Sequence, residues 1–186
     1  MNGRPAADLL VGEIPYLRAF AISLCGSPTL AYDLVQDTLV KAWAKFDSFQ
    51  QGTNLRAWLI TILRNNFFSI YRKSRREVQD SDGIHASQIA VRGGQEDNLE
   101  MSDFRTALAK LAPAHREALI MIGVTELSYD EAAAVCGVAV GTIKSRVHRA
   151  RAHLADLLGL TDASEIGQGP VSLSPARKAP SKIAAS

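Results

Sequence analysis

The sequence predicts an all-α protein with two small helical domains joined by a flexible linker. Apolar residues recur at helical spacing from the N-terminus to about Arg76, and the pattern resumes at Leu99. The stretch between them, "QDSDGIHASQIAVRGGQED", is polar, contains glycine and has no periodicity, which is typical of a linker. The 186 residues leave room for two domains of this size. The predicted segments are a first domain, a linker, a second domain and a disordered Ser/Ala/Pro/Gly-rich tail, at residues 1–78, 79–97, 98–160 and 161–186.

Three helices are predicted in the first domain. The first covers about Leu9 to Leu24. The second and third are predicted from Ala31 to Phe46 and from Leu55 to Tyr71, because apolar residues recur every three or four positions in both. The third helix leads into "YRKSRR", one of two clusters of basic residues in the chain.

The second domain contains a predicted helix-turn-helix. In "ELSYDEAAAVCGVAVGTIKSR", Ser128 and Glu131 form an S-x-x-E capping box that begins a helix. Gly137 is suited to end that helix in the left-handed conformation. A short turn follows, and a second helix begins near Gly141–Thr142, with the small Ala133 where the two helices cross. In this motif the second helix enters the major groove of DNA.

This second helix holds the other basic cluster. The run "VGTIKSRVHRARAHL" contains four Lys or Arg, two His and no acid, in a chain whose formal net charge is +2. A solvated helix face usually mixes signs, so the run indicates an anionic ligand, although an ordinary helical hairpin with a solvated basic helix is the alternative. Spacing turns four residues inward, namely Ile143, Val147, Ala150 and Leu154. The candidates for contact with DNA are Thr142, Lys144, Ser145, Arg146, His148 and Arg149.

Composition bounds the other possibilities. The start "MNGRPAADLL" does not resemble a signal peptide, and the most apolar run, "ALIMIGV", is too short to span a bilayer. We therefore expect a cytoplasmic protein without membrane insertion. Cys25 and Cys136 are predicted to be buried reduced thiols, and a disulfide between them is the alternative.

No catalytic residue, metal site or cofactor is predicted. The chain has no Walker-type loop, no CxxC pair, no HExxH motif and no Ser/His/Asp signature. Its four histidines are scattered along the sequence. These observations favour a binding protein over an enzyme.

Two features of the first domain remain. In "AYDLVQDTLVKAW", Asp33 and Asp37 are four residues apart on one helix face with Gln36 beside them, a pattern that by itself indicates solvated surface. In the third helix, "RNN" at residues 64–66 precedes two phenylalanines and the basic cluster. Amides and aromatic rings beside cations suit unpaired bases, although Phe67 could simply belong to the core.

Four ordered motifs resemble a known family. "DLVQDTLVKAWAKFDSF", "LRAWLITILRNNFFSIYRKSRR", "LAPAHREALIM" and "LSYDEAAAVCGVAVGTIKSRVHRARAHL" occur in the order seen in bacterial RNA polymerase sigma factors of the extracytoplasmic-function class. The resemblance covers about Leu9 to Leu160, and the sequence looks most similar to the general-stress subgroup of alphaproteobacteria. Two departures affect the promoter sequence that is expected: Lys144 stands where many members carry Arg, and His148 where many carry an aromatic residue.

The resemblance implies a role for each motif. The two domains would be sigma region 2-like and sigma region 4-like, and the partners would be core RNA polymerase, promoter DNA and a helical anti-sigma protein. Docking on the polymerase clamp is implied for Asp33, Gln36, Asp37, Val40 and Trp43. Contact with the melted promoter element is expected of Gly52, Thr53, Asn54, Leu55, Arg64, Asn65 and Asn66. Lys144, Ser145, His148 and Arg149 match positions that read the upstream element.

Two other functions remain open from the sequence. A sigma-like mimic that sequesters an anti-sigma factor would carry a receiver domain of roughly a hundred residues, and no such domain follows Leu160. A plain helix-turn-helix regulator would leave the first domain unexplained.

Overall fold

The computed structural model describes residues 3–80 and 99–160, and the side chains of residues 6–72 and 103–160. Within these ranges the chain forms helices and no strands, so the all-α prediction is confirmed. The elements in chain order are α1 (Gly3–Cys25), α2 (Pro28–Ala44), a short 3-10 helix (Phe46–Ser48), α3 (Leu55–Asp80), α4 (Leu99–Lys110), α5 (Pro113–Gly123), α6 (Tyr129–Cys136) and α7 (Val140–Leu158).

Two helices of the first domain are longer than predicted. α1 begins at Gly3 instead of Leu9, and Pro15 lies within it. α3 continues through the basic cluster to Asp80. The first two residues of the predicted linker therefore belong to α3. The rest of that linker and the predicted tail at 161–186 lie outside the described residues.

Proline sets the start of two helices. Pro28 and Pro113 occupy the first turns of α2 and α5, where the missing N–H has no partner within the helix anyway. Ser27 caps α2, since its Oγ accepts a hydrogen bond from the Leu30 N–H at 3.4 Å.

The first domain is a bundle of α1, α2 and α3. Its core is made of fully or almost fully buried side chains from all three helices: Leu17, Phe20, Leu24, Leu34, Val35, Leu59, Ile60 and Leu63. Burial of such side chains stabilises the folded chain by about 1.5–3 kcal/mol each. This core fixes the rotation of α2 and α3, and so decides which of their side chains face outward.

The second domain is built around α7. Helices α4, α5 and α6 all pack against it. The predicted inward row is confirmed, because Ile143, Val147, Ala150 and Leu154 are each at most 1% exposed. Met121 of α5 is buried in the same core.

The two domains also pack against each other. α1 contacts α5, and α3 contacts α6. The sequence predicted two modules on a flexible joint, so this direct contact between the folded parts is an addition to that prediction.

Both cysteines are free thiols, as predicted. Cys25 is buried and Cys136 is partly buried. The Cys25 Sγ donates to the carbonyl oxygen of Ala21 at 3.0 Å. Burial raises the pKa of both thiols, which keeps them protonated and poorly nucleophilic near neutral pH.

Candidate nucleic-acid and polymerase interfaces

The predicted capping box at the start of α6 is confirmed. The Glu131 N–H donates to Ser128 Oγ at 3.2 Å, and the Ser128 N–H donates to Glu131 Oε2 at 2.8 Å. At the other end Gly137 has a φ of +66°, the left-handed conformation that favours glycine. The turn that follows leads to α7 at Val140. The described geometry of α6 and α7 is therefore that of a helix-turn-helix.

The outer face of α7 is polar and basic. The side chains of Lys144, Ser145, His148 and Arg149 are exposed, opposite the buried row. Thr142 and Arg146 are half-buried at the flanks of this face. The Ser145 hydroxyl donates to the Thr142 carbonyl at 2.9 Å, so it is partly used by the helix itself. Lys and Arg at such positions can contact guanine edges or phosphates.

The loop before α3 is exposed and locally ordered. Gly52, Thr53 and Asn54 are exposed, whereas Leu55 is half-buried. Gly52 has a φ of +90°, a conformation that side chains disfavour. Thr53 Oγ1 donates to the Gln50 carbonyl at 2.7 Å, and Asn54 Oδ1 accepts from the Ala57 N–H at 3.3 Å, which caps α3. The amide N–H₂ of Asn54 donates to Glu131 Oε1 of the second domain at 2.7 Å.

Aromatic rings from the segment before this loop pack against the first turn of α3. Phe46 and Phe49 meet Trp58 of α3, with ring centroids 6.4 and 5.4 Å from the Trp58 ring. Aromatic pairs at these distances contribute about 0.5–1.5 kcal/mol beyond their area burial. The loop is thereby fixed to the start of α3.

Neighbouring amides in α3 have different environments. Asn65 is exposed. Asn66 is buried at 7% exposure, and its amide is used inside the domain, donating to Thr38 Oγ1 at 3.3 Å and accepting from Lys41 Nζ at 2.6 Å. The sequence had placed both residues among the contacts to melted DNA. In this structure only Asn65 is open to a ligand, whereas Asn66 ties α3 to α2.

Arg64 lies in an ion pair with the second domain. Its Nε donates to Glu117 Oε1 at 2.7 Å, and its guanidinium lies over the Phe68 ring, 4.8 Å from the centroid. The Glu117 side chain is only 6% exposed. Arg64 was predicted from the sequence, but its carboxylate partner was not.

Arg56 was missed by the sequence analysis. Its Nε donates to Glu13 at 2.6 Å, and its Nη1 donates to the Thr125 carbonyl at 3.0 Å and to Glu126 at 3.1 Å. The guanidinium also stacks on Tyr16 at 3.3 Å. Burial by itself lowers the pKa of Arg56, but the hydrogen bond and charge of Glu13, the hydrogen bond to Glu126 and the electrostatic effect of Tyr16 outweigh burial and raise it. No sequence pattern distinguishes this arginine, because its partners come from two segments that lie far from it in the sequence.

The predicted docking face lies on the outside of α2. Asp33, Gln36 and Asp37 are exposed. Val40 and Trp43 continue the same face with 64% and 52% of their surface exposed. An exposed tryptophan and valine beside two carboxylates form an amphipathic surface, which is the composition of an interface core with a charged rim.

The described residues contain no cluster of His, Cys, Asp and Glu that could hold a metal ion. Among the helices described, none is both long and apolar enough to cross a membrane.

Two family models match the chain, one for each domain. Sigma-70 region 2 matches residues 10–77, and Sigma-70, region 4 matches residues 101–154.

Relatives and solved structures agree with these matches. The chain is 55% identical over 160 residues to the ECF RNA polymerase sigma factor EcfG of Rhodopseudomonas palustris, with 86% of this chain and 88% of the relative covered. Its fold is similar to that of the sigma factor RpoE in complex with the anti-sigma factor NepR from Bartonella quintana, with a TM-score of 0.78, 53% identity and coverage of 86% and 99% of the two chains. It is also similar to CnrH in complex with the cytosolic domain of CnrY, with a TM-score of 0.64, 31% identity and coverage of 85% and 90%.

The two matched regions coincide with the two helical domains, and the identity extends over most of the relative. The chain therefore belongs to the extracytoplasmic-function family of RNA polymerase sigma factors.

Proposed function

We propose that this sigma factor binds core RNA polymerase through α2, reads an upstream promoter element through α7 and captures the melted strand with the loop before α3. The observation that carries the proposal is the coexistence of three exposed surfaces of different chemistry on two small domains. One is amphipathic and acidic, one is basic, and one offers amides beside aromatic rings. A protein with a single ligand has no need of all three.

The polymerase-binding surface is proposed to consist of Asp33, Gln36, Asp37, Val40 and Trp43. Burial of the two apolar side chains supplies affinity, whereas the two carboxylates select a basic partner and favour encounter with it. The family resemblance implies the clamp coiled coil as that partner.

Duplex reading is proposed for the outer face of α7. Lys144, His148 and Arg149 are long or planar donors on an exposed helix face, as needed to reach base edges in the major groove. Phosphate contact is proposed for the residues beside them on α7, namely Thr142, Ser145 and the half-buried Arg146.

Capture of the melted strand is proposed for the Gly52–Leu55 loop with Asn65 and Arg64. A flipped base is recognised by hydrogen bonds to its Watson–Crick edge, which the exposed amides of Asn54 and Asn65 can supply. Asn66 is left out of this set, because its amide is already bonded to Thr38 and Lys41.

Regulation by an anti-sigma protein is part of the proposal. RpoE was solved in complex with the anti-sigma factor NepR, and CnrH in complex with the cytosolic domain of CnrY. These complexes support control of this chain by a protein partner, and the family resemblance implies that this partner is a helical anti-sigma protein. The similarity to EcfG supports the general-stress role that the sequence resemblance implied. The chain would act in the cytoplasm, where polymerase and promoter are found, and by binding instead of catalysis.

Promoter-directed transcription with purified core polymerase tests this function. The full chain is expected to start transcripts at a cognate promoter, whereas core polymerase alone does not. A chain that binds an anti-sigma protein but not polymerase would be a mimic. One that binds duplex DNA without polymerase and never supports initiation would be a helix-turn-helix regulator. Either result would reject the proposal.

A further inference from the structure

Acidic side chains of the second domain meet the face of the first domain that is proposed to hold the melted strand. Three hydrogen bonds across the boundary share one chemistry, because in each a Glu carboxylate accepts from a side chain of the first domain. The three pairs are Asn54–Glu131 at 2.7 Å, Arg56–Glu126 at 3.1 Å and Arg64–Glu117 at 2.7 Å. We call these three residues, Glu117, Glu126 and Glu131, the acidic row. Arg56 also donates to the Thr125 carbonyl across this boundary, at 3.0 Å.

The contact at Arg64 is the most enclosed. Glu117 is almost completely buried, and 22% of the surface of the Arg64 side chain is exposed. A buried carboxylate without a partner is strongly unfavourable, so Glu117 has a strong requirement for a cation as long as the domains stay together. Arg64 depends less on the pair, because Phe68 of its own helix orients the guanidinium.

The contact at Asn54 takes up the donor that the loop leaves available. The Asn54 oxygen caps α3, and its Nδ2 donates to Glu131. Glu131 is fixed for this by the capping box, in which its other carboxylate oxygen accepts from the Ser128 N–H and hydroxyl. The amide proposed to meet a flipped base is therefore occupied from within the chain.

Arg56 adds a third connection beside these two. Within its own domain it is paired with Glu13 and stacked on Tyr16. Its Nη1 then reaches the turn between α5 and α6, where Glu126 has a φ of +57°, an uncommon conformation for a residue other than glycine. The turn of the second domain is thus fastened to the start of α3.

A carboxylate and a phosphate make similar demands on these donors. Both are anionic acceptors that a planar guanidinium binds through charge-assisted hydrogen bonds. Glu117 therefore occupies the position at Arg64 that a backbone phosphate of single-stranded DNA would need, and Glu131 occupies the donor at Asn54 that a base edge would need. The acidic row and the strand cannot hold these side chains at the same time.

We propose that the acidic row is an internal competitor of the melted promoter strand, so that the packed arrangement of the two domains is a masked state. The proposal rests on the function proposed above, since it assigns a regulation to the same strand-binding face. Separation of the domains, driven by polymerase and duplex promoter, releases Arg64 and Asn54 together. Interfaces between domains of one chain commonly open and close in this way when they are polar.

The test measures binding of the full chain to a labelled single strand of about 12 nucleotides by fluorescence anisotropy. The variant is the triple change Glu117→Gln, Glu126→Gln, Glu131→Gln, which keeps shape and removes charge. Its matched control is Asp103→Asn, Asp130→Asn, Asp156→Asn, three exposed acids of the same domain with the same total charge. Loss of the three charges is expected to raise the fraction of molecules in which the strand-binding face is free. The triple Gln variant is therefore expected to bind the strand at least about fivefold more tightly than wild type. The control is expected to change affinity by less than about twofold.

Two further variants make the result specific. Adding Arg64→Gln to the triple Gln variant is expected to remove most of the gain, because the released cation is gone. Changing only Glu126→Gln and Glu131→Gln leaves the buried Glu117 in place and is expected to give a smaller gain, which keeps the test available if the triple variant does not fold. Small-angle scattering is expected to show a larger radius of gyration for the triple Gln variant.

Equal binding by the triple Gln variant and its control would overturn the masking, and so would a gain that survives Arg64→Gln. The proposed function is tested separately, by initiation with core polymerase. If the wild-type chain initiates normally while all variants bind the strand alike, the masking proposal is rejected and the proposed function is not. A wild-type chain that never initiates would reject the function.

Discussion

Lys41 on α2 donates a 2.6 Å hydrogen bond to Asn66 on α3. The same amide group donates to Thr38, whose hydroxyl in turn donates to the Leu34 carbonyl at 2.7 Å. The helix proposed to dock on polymerase is thus joined by a chain of hydrogen bonds to the helix proposed to contact the melted strand. Asn65, next along α3, is held facing solvent as a result.

Removing each of the two adjacent amides is expected to affect stability to a very different extent. Asn66→Ala leaves Thr38 and Lys41 without their partner and is expected to lower the free energy of unfolding by about 1–3 kcal/mol. Asn65→Ala, at an exposed site, is expected to change it by less than about 0.5 kcal/mol. Urea unfolding followed by circular dichroism measures both. Equal stability of the two variants would show that the buried network contributes nothing.

Asn65 is expected to act on strand opening alone. Extraction of a base costs a few kcal/mol of stacking and pairing, which contacts to the flipped base must offset. Asn65→Ala is therefore expected to reduce initiation on a duplex promoter and to regain activity on a template mismatched around the start site. Transcript yield on both templates measures this, with upstream duplex binding as the control. An equal defect on the two templates would place Asn65 in another step.

Reversal of charge on α2 is expected to prevent polymerase binding. The double change Asp33→Lys, Asp37→Lys places two cations on the docking face, where they repel a basic partner. Co-purification with core polymerase is expected to be lost, whereas the helical circular dichroism signal stays, because both sites are exposed. The matched control is Asp8→Lys with Asp47→Lys, two exposed acids of the same domain outside α2. Loss in both variants would point to net charge and not to this face.

Single changes on α7 are expected to separate base reading from phosphate contact. If Lys144 or Arg149 contacts a guanine edge, its change to Ala is expected to cost about 1–3 kcal/mol and relax preference at one base pair. A phosphate contact instead weakens binding evenly across sequences and lowers the salt slope by about one. Titrations of variant promoters at several salt concentrations measure the difference, with Lys110→Ala as a control outside α7. Unchanged binding in both variants would remove α7 as the reading helix.

Acid is expected to weaken the start of α6. Burial by itself raises the pKa of Glu131, but hydrogen bonds from the Ser128 N–H, the Asn54 amide and the Ser128 hydroxyl outweigh burial and lower it. A carboxyl group with a lowered pKa in the folded state stabilises the fold fully above its ordinary value of about 4.3, and this contribution is lost as pH falls through the lowered value. Thermal unfolding at a series of pH values between about 6 and 3 is expected to show an acid-dependent loss that is smaller in Glu131→Gln. Identical pH profiles would show that Glu131 is not the group responsible.

Local features of the fold were predictable from the sequence. The capping box at Ser128, the left-handed Gly137 and the inward row of α7 depend on residues close together in the chain, and all are confirmed. The burial of Asn66 also had a signal: Leu59, Leu63 and Asn66 are four and three residues apart, so the amide continues an apolar row. Because its side chain is polar, Asn66 was predicted to contact DNA and not to lie in the core.

Contacts between distant segments were not predictable in the same way. Arg56 binds Glu13 and Glu126, which lie far before and far after it in the sequence. Such pairs are created by the packing of α1 against α3 within the first domain and of the two domains against each other, and no periodicity within one helix reports on that packing. For the same reason the carboxylates opposite Arg64 and Asn54 became visible only in three dimensions.

The division of α7 into two faces has a consequence for how such a protein diversifies. Its buried row and its exposed basic row share no position, so the residues that hold the domain together are different from those that face DNA. A substitution at Lys144 or His148 can therefore alter which sequence is recognised while the core stays intact. One duplicated gene could in this way acquire a new set of target promoters through a few exposed changes, without passing through an unfolded ancestor.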